Sequence, residues 1–470
     1  MASAAIAAFI EELTALLGAA NVLTDTETCA RASSSWSPLF FKAKQQAGGA
    51  VPDPVAAVVR PVDAAEVVAV VRRANETRAA MLVPLGGGSS TVGAHAAAQG
   101  RPRIAVDLSR LNAVHWDEES LLLEAGAGCV LASLEEQLNR HGYTLGQYPQ
   151  SLNLATVGGV VATDAVGAFS GAYGRQADLT RALEAVLPSG QVVRTSAQAA
   201  GPGLHRLLIG SEGTLGIVTG ATLRMFPMPE ARAWAVFTFA SFPDAVDALR
   251  LVYRSDARPA VARVWDADAA TEPLAAAGLP PGSGCLLLMG FEGSEVVQTG
   301  HYQMAHAVCQ KVGGRELGPE IGDAWYDARY QTGWMAANGR PGGLADAFSV
   351  WCPWPALKEA HTAMRRAAAP LATGAEAQVT HPGPDGAALD LFVTAQAEPN
   401  EPEAARDLYL RLTDAVLGAA VDAGATSVAH HYGVGETRRA WWERERGPEA
   451  LAALRALKAA LDPNGVLPPL

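Results

Sequence analysis

Cysteine is scarce in this chain, and basic charge is outweighed by acidic. The five cysteines, Cys29, Cys129, Cys285, Cys309 and Cys352, lie far apart with no CxxC pair. That spacing excludes a disulfide framework and a zinc signature, and it fits a reducing, cytoplasmic setting. Asp and Glu number 48 against 36 Lys and Arg, a formal net charge of −12. With no basic block or stripe to neutralise phosphates, nucleic acid is excluded as an expected partner. A small anionic substrate remains allowed, because it needs only one or two local cations. No apolar run reaches the roughly 18 residues of a membrane span. The opening "MASAAIAAFIEELTALLGAANVLTD" lacks a basic n-region, and Glu11 and Glu12 interrupt its apolar residues. It reads as an amphipathic helix rather than a signal peptide. Internal repeats and low-complexity linkers are also missing. At 470 residues, 49% of them hydrophobic and 18% charged, the chain is globular and too long for one small core.

From about residue 50 to 228, short β-type runs alternate with helical ones. "VAAVVRPVDAAEVVAVVRRANET" reads as a strand and then a helix capped by Asp63. "AMLVPLGGGSS" is a strand entering a glycine loop, "RIAVDLSRLNAV" and "LLLEAGAGCV" are strands, and "LASLEEQLNRHGYTL" is a helix closed by Gly142. Pro227 and Pro229 mark a boundary. "WAVFTFASFPDAVDALRLVYRS" then opens a second unit with a strand and a helix, and the tail is a helix ended by Pro463. The pattern is α+β.

Three glycine-rich places carry the chemistry of the first unit: Gly86 to Gly88 followed by Ser89, Ser90 and Thr91; the stretch 151–179; and "LLIGSEGTLGIVTG" at 207–220. Glycine weakens a strand, so three of them at three-residue steps imply a tight turn or a close backbone approach. Each place sets backbone N–H groups beside small hydroxyls, which binds phosphate without a basic patch. "EAGAGCVLASLEEQL" is not a dinucleotide fingerprint, because Leu131 occupies the third glycine position.

Taken in order, "VPLGGGSSTVG", "PQSLNLATVGGVVATDAVG", "AYGRQADL" and "GSEGTLGIVT" resemble the FAD-binding domain of the vanillyl-alcohol oxidase and p-cresol methylhydroxylase superfamily. The resemblance covers residues 50 to 470. It implies an α+β fold with a two-subdomain PCMH-type FAD-binding domain over 1–228, an α+β cap (substrate) domain over 229–425, and a segment over 426–470 that returns to the FAD domain. It places FAD against Pro84, Gly86, Gly87, Gly88, Ser89 and Ser90. In the second stretch it selects Pro149, Ser151, Thr156, Gly158, Gly159, Ala162, Thr163, Gly167, Tyr173 and Gly174, and in the third Glu212, Gly213, Gly216, Ile217 and Val218. Some relatives attach the flavin through a histidine in the first loop. Ser89 stands about there and no cysteine lies in the loop, so non-covalent FAD is expected, with His95 the one residue pointing the other way.

Within the superfamily, "PQSLNLATVGG", "GPGLHRLLIGSEGTLG", "PAVARVWDAD" and "VAHHYGVGETRRAWW" most resemble alkylglycerone-phosphate synthase (alkyl-dihydroxyacetonephosphate synthase). His430 and His431 are proton-transfer candidates on residue type, because histidine titrates nearest to neutral pH. Tyr432 replaces a third histidine, Arg263 stands at an active-site arginine, and His381 is retained. Two departures stand out. Ala336 or Ala337 in "TGWMAANG" occupies the place of an arginine, and Gly383 in "VTHPGPDG" that of a tyrosine. Losing a cation removes a charge-assisted phosphate contact. The expected function is therefore an FAD-dependent oxidoreductase, oxidase or dehydrogenase. It would act on a small or moderately apolar hydroxy or hydroxyacid substrate by hydride transfer to flavin N5, with a histidine base. The alternative is synthase-like, non-redox ether-bond formation through a flavin N5 adduct. His381, Asp390 and His430 distantly echo a metal site, but no metal is expected. Trp325, Trp334, Trp351, Trp354, Trp441 and Trp442 crowd the second half, some of them as walls of an apolar substrate cavity. A homodimer is expected.

Overall fold

Asp63 begins the helix that precedes the first glycine loop as the sequence leads one to expect. In the computed structural model, which describes residues 2–94, 101–197, 203–280, 282–399 and 401–470, its carboxylate accepts from Glu66 N at 2.9 Å and caps the helix Ala64–Thr77. Val67, Val70, Val71 and Ala74 recur at helical spacing and are buried. They pack with Ala57 and Val59 of the strand Ala57–Val59 and with Ile104 and Val106 of Arg103–Asp107. These two strands and Met81–Leu85 are parallel, and Val22–Leu23 adds an antiparallel edge. Met81–Leu85 runs directly into Gly86, so the strand end aims the first glycine loop. His95 lies outside the described residues.

A second, antiparallel sheet is ordered Val114–Asp117, Leu122–Gly126, Ile217–Arg224, Thr180–Val186, Val192–Ser196. The run from residue 207, strand-like in its apolar content, is not one strand. Leu204–Leu208 is a short helix, and the strand begins only at Ile217. Between them Gly210, Glu212 and Gly213 have φ of 75°, 51° and 77°, which coil the chain into a left-handed loop.

The third sheet has seven antiparallel strands, ordered Arg315–Leu317, Ala231–Phe239, Cys285–Gly293, Val261–Trp265, Gly374–Thr380, Gly386–Gln396, Gly343–Pro353. Strand alternation divides its faces. Ala235, Phe237 and Phe239 join Ala245, Val246 and Leu249 of the helix Phe242–Arg254. Trp234, Val236, Val261 and Trp265 share a core with Leu123, Leu183 and Leu223 of the second sheet. The large sheet thus turns one face to its own helices and the other to the FAD-binding half. After the helix Pro402–Asp422, Ser427 bridges Trp351, and the helix Gly435–Leu461 runs back, broken at Gly447 (φ 74°) before Pro448. Val466 and Leu467 end in the first core, where Val466 O accepts from Leu82 N at 2.8 Å. Among the described residues no helix is long and apolar enough to cross a membrane.

Candidate active site

A cavity of about 740 Å³ lies between the glycine loops and the inner face of the large sheet. Its first end is built from Pro84, Gly86, Gly87, Gly88, Ser89 and Ser90, and its floor from Pro149, Ser151, Thr156, Gly158, Gly159, Ala162 and Thr163. Glu212, Gly213, Gly216 and Val218 close a further side. Among the described residues, no lysine, arginine or histidine lines this glycine-loop end. Its polar donors are backbone N–H groups and small hydroxyls, the set suited to a diphosphate. Gly88 has φ 63° and open space where a Cβ would stand; Gly213 has φ 77°, and a Cβ there would come 3.0 Å from Pro84 Cγ. Walls of this kind accept an extended dinucleotide against bare backbone, so the residues present fit FAD.

Several expected cofactor residues do not reach this cavity, each for a visible reason. Ile217 is fully buried in the first core, where strand alternation turns it away from Gly216 and Val218. Tyr173 donates its hydroxyl to Glu292 Oε1 at 2.6 Å on the large sheet, and Gly174 turns beside Asp178. Gly167 lies where a Cβ would strike Gln147 O at 1.9 Å, so its requirement is packing. Glu212 lines the cavity, but its Oε1 accepts from Val434 N at 2.6 Å and its Oε2 from Gly435 N at 2.9 Å. Burial raises its pKa, and those two donors oppose the rise.

The other end of the cavity gathers residues from distant parts of the sequence. Arg263 comes from Val261–Trp265, Gln378 from Gly374–Thr380, Asp390 from Gly386–Gln396, and His381, His431 and Tyr432 from loops. The His381 and His431 rings are 4.6 Å apart between centroids, and His431 and Tyr432 are 4.4 Å apart. His430 lies behind this wall rather than on it, stacked on Trp351 at 5.0 Å. Its Nδ1 is 3.0 Å from His431 Nδ1, which also lies 3.2 Å from Ser349 Oγ. His431 Nδ1 is thereby occupied within the protein, and Nε2 is left for a ligand.

The electrostatics keep these imidazoles neutral. Burial, then the nearby Arg263 and Arg175, lower His431 to about 3. Burial, then His431 and Arg175, lower His430 to about 3, and His381 is pushed well below its ordinary value chiefly by burial. Asp390 is raised by burial; its Oδ2 accepts from Thr380 Oγ1 at 2.8 Å, and its Oδ1 has no partner. His381 Nδ1 is likewise unpartnered. The three histidines can each bring one ligand atom within 4.8 Å of the others, a spacing that could hold a metal ion, although two arginines nearby oppose a cation there.

Arg263 does not pair with Asp266, which instead binds His361 and Arg365. Its Nη1 donates to Gln378 Oε1 at 3.1 Å, its guanidinium lies 5.2 Å from the Trp325 ring, and its Nε is buried and unpartnered. Ala336 is exposed and brings no charge, as the sequence implies. Sequence reasoning missed Arg329. It follows the helix Glu320–Ala328, one turn beyond Trp325, and lines the cavity with its Nε unpartnered. Tyr326 and Tyr330 rings sit 3.5 and 4.3 Å from its guanidinium. The signal available was "WYDARY", an arginine at helical spacing from an aromatic. Trp325 and Trp334 line the cavity, together with Trp265 and Phe392, whereas Trp354 and Trp441 are core.

Comparison with known proteins identifies the family and the fold. The FAD binding domain family matches residues 55–196, and the family of FAD linked oxidases, C-terminal domain, matches residues 228–470. An alkyldihydroxyacetonephosphate synthase of Caenorhabditis elegans is 29% identical over 87% of this chain and 74% of its own length. A mitochondrial D-lactate dehydrogenase [cytochrome] of Arabidopsis thaliana is also 29% identical, over 88% of this chain and 72% of its own. Among solved structures, an alkyldihydroxyacetonephosphate synthase superposes with a TM-score of 0.81 at 23% identity, covering 98% of this chain and 84% of that one. Substrate-bound p-cresol methylhydroxylase gives 0.80 at 18%, covering 99% and 96%; at these identities the fold alone is shared. With the second family match covering more than half of its length, the chain belongs to the FAD-linked oxidases and is an FAD-dependent enzyme.

Proposed function

We propose that this enzyme oxidises a small or moderately apolar hydroxy acid. One observation carries the reading: Arg263 and Arg329, neither in an ion pair with a described acid, face the same cavity as neutral, half-buried His431 and His381. The arginines suit the anionic group of a substrate, and Trp265, Trp325, Trp334 and Phe392 suit its apolar body. A neutral His431 accepts the hydroxyl proton at Nε2, while His430 and Ser349 fix its ring through Nδ1. Bound FAD supplies the two-electron acceptor for such an oxidation. Ser89 in the first loop and the hydroxyl-and-backbone character of that end support non-covalent binding. A cytoplasmic setting is consistent with the scarce, unpaired cysteines.

Synthase-like chemistry is the second reading, favoured by the same two arginines, which would hold a phosphate as well. Ala336 or Ala337, and Gly383, standing where the resemblance implies a cation and a tyrosine, oppose it. Anaerobic mixing with a panel of 2-hydroxy acids and alcohols separates the two. Bleaching of the flavin band by a hydroxy acid supports oxidation. Fatty-acid release from an acylated dihydroxyacetone phosphate without bleaching overturns it.

A further inference from the structure

The cofactor loop and the histidine segment are joined by one side chain. Glu212 sits in the left-handed turn at the cavity wall, its own N–H fixed on Ala162 O at 2.7 Å. Its two carboxylate oxygens take the N–H groups of Val434 and Gly435, the first donors of the helix Gly435–Leu461 and the third and fourth residues after His431. Those N–H groups have no partner inside the helix, and an anion is the acceptor that a helix N-terminus favours. The next two donors, Glu436 N and Thr437 N, go to Val92 O at 2.8 and 3.2 Å. Val92 follows the first glycine loop. The turn after His431 is therefore seated on both cofactor loops.

The glycines of this turn fit the same arrangement. Gly433 has φ 88°, and a Cβ there would lie 2.4 Å from Glu212 Oε1; Gly435 has φ 46°, and a Cβ would lie 2.3 Å from Val92 O. Each carboxylate oxygen already accepts a tail N–H, so the side chain is directed at the tail even where the residue borders the cavity. We propose that Glu212 is a positioning residue, anchored in the cofactor loop, that holds the turn presenting His431 to the cavity. Cofactor binding and the order of the histidine segment are then coupled through it. Only the effect on rate rests on the proposed role of His431; the structural coupling stands apart from it.

Glu212→Gln tests this, since the amide has one acceptor oxygen and its NH₂ would oppose a backbone N–H. Hydrogen exchange at the amides of Val434 and Gly435 is read in the holoenzymes alongside flavin content. The expected result is exchange faster by about tenfold or more, with FAD retained. The rate of flavin reduction should fall while KM stays within about threefold of wild type. Gly433→Ala, which crowds the same carboxylate from the tail side, should loosen the same two amides. Unchanged exchange in Glu212→Gln overturns the proposal. So does loss of FAD with unchanged exchange, which would make Glu212 a cofactor ligand. If FAD is lost and exchange also rises, Gly433→Ala decides: flavin retained with a loosened tail supports positioning, and flavin lost there too overturns it.

Discussion

Gly213→Val should yield protein that loses its flavin. Gly213 sits at φ 77°, a conformation that costs an L residue roughly 1–2 kcal/mol. A Cβ built there meets Pro84 Cγ at 3.0 Å and Cδ at 3.3 Å. Pro84 is the penultimate residue of the strand feeding the first glycine loop, so the added branch pushes two cavity walls apart. Overpacking of this kind adds about 1–3 kcal/mol. The same displacement moves the backbone of both loops out of register with the cofactor they face. A ligand at 100 times its Kd stabilises by about 2.7 kcal/mol, and the variant forfeits that contribution as well. Bound flavin per protein, read by absorbance, and melting with and without added FAD check this. Gly220→Ala is the control: it lies on the following strand without positive φ, its Cβ only 3.5 Å from Ala125 O, and should keep full flavin. Stoichiometric FAD and an unshifted melt in Gly213→Val would refute the placement of the cofactor at this loop.

His431→Ala should keep the yellow holoprotein but slow substrate-dependent flavin reduction by about 10²-fold or more. In wild type the neutral form is the competent base and His431 lies at about 3. Its pH–rate profile should therefore stay level through pH 6.5, and an acid limb centred there would contradict the burial argument. Arg329→Met should raise KM for a hydroxy acid by about tenfold while sparing a neutral alcohol, measured on the same flavin band. Glu135 is buried, accepts from Leu145 N, Gly146 N and Thr144 Oγ1, and is raised to about 7 by burial. Its folded pKa exceeds its unfolded one, so stability falls as pH rises from 4.5 to 7, by about 3 kcal/mol in all. Glu135→Gln keeps the acceptor for both N–H groups and should flatten that slope in denaturant melts.

Much of the cofactor half was legible because backbone-binding loops must be written in glycine and small hydroxyls, which stand out in sequence. Gly86, Ser89, Thr156 and Gly213 could be found that way. Ile217 and Tyr173 could not be separated from the lining residues beside them, since which side of a strand or helix faces the cavity depends on pairing that the sequence does not display. The histidines were legible as types. Their separate roles were not, because His430 is stacked behind His431 on Trp351, 79 residues earlier in the strand Gly343–Pro353. Arg329 was hidden by an ordinary helical pattern. Lys42 was hidden too: it is fully buried, its Nζ reaching the carbonyls of Asn338 and Arg340, and burial lowers it to about 8. The bond from Glu212 to the tail was not legible, because nothing local reveals a partner 222 residues away.

The most direct test of hydroxy-acid oxidation is stopped-flow flavin reduction by a reactive 2-hydroxy acid and by its α-deuterated form, in the absence of oxygen. Removal of that C–H in the oxidation predicts slower bleaching with the deuterated acid, by about twofold or more, the isotope effect persisting in His431→Ala at its reduced rate. Bleaching that is absent for every acid tried, with fatty acid released from an acylated dihydroxyacetone phosphate instead, would contradict it.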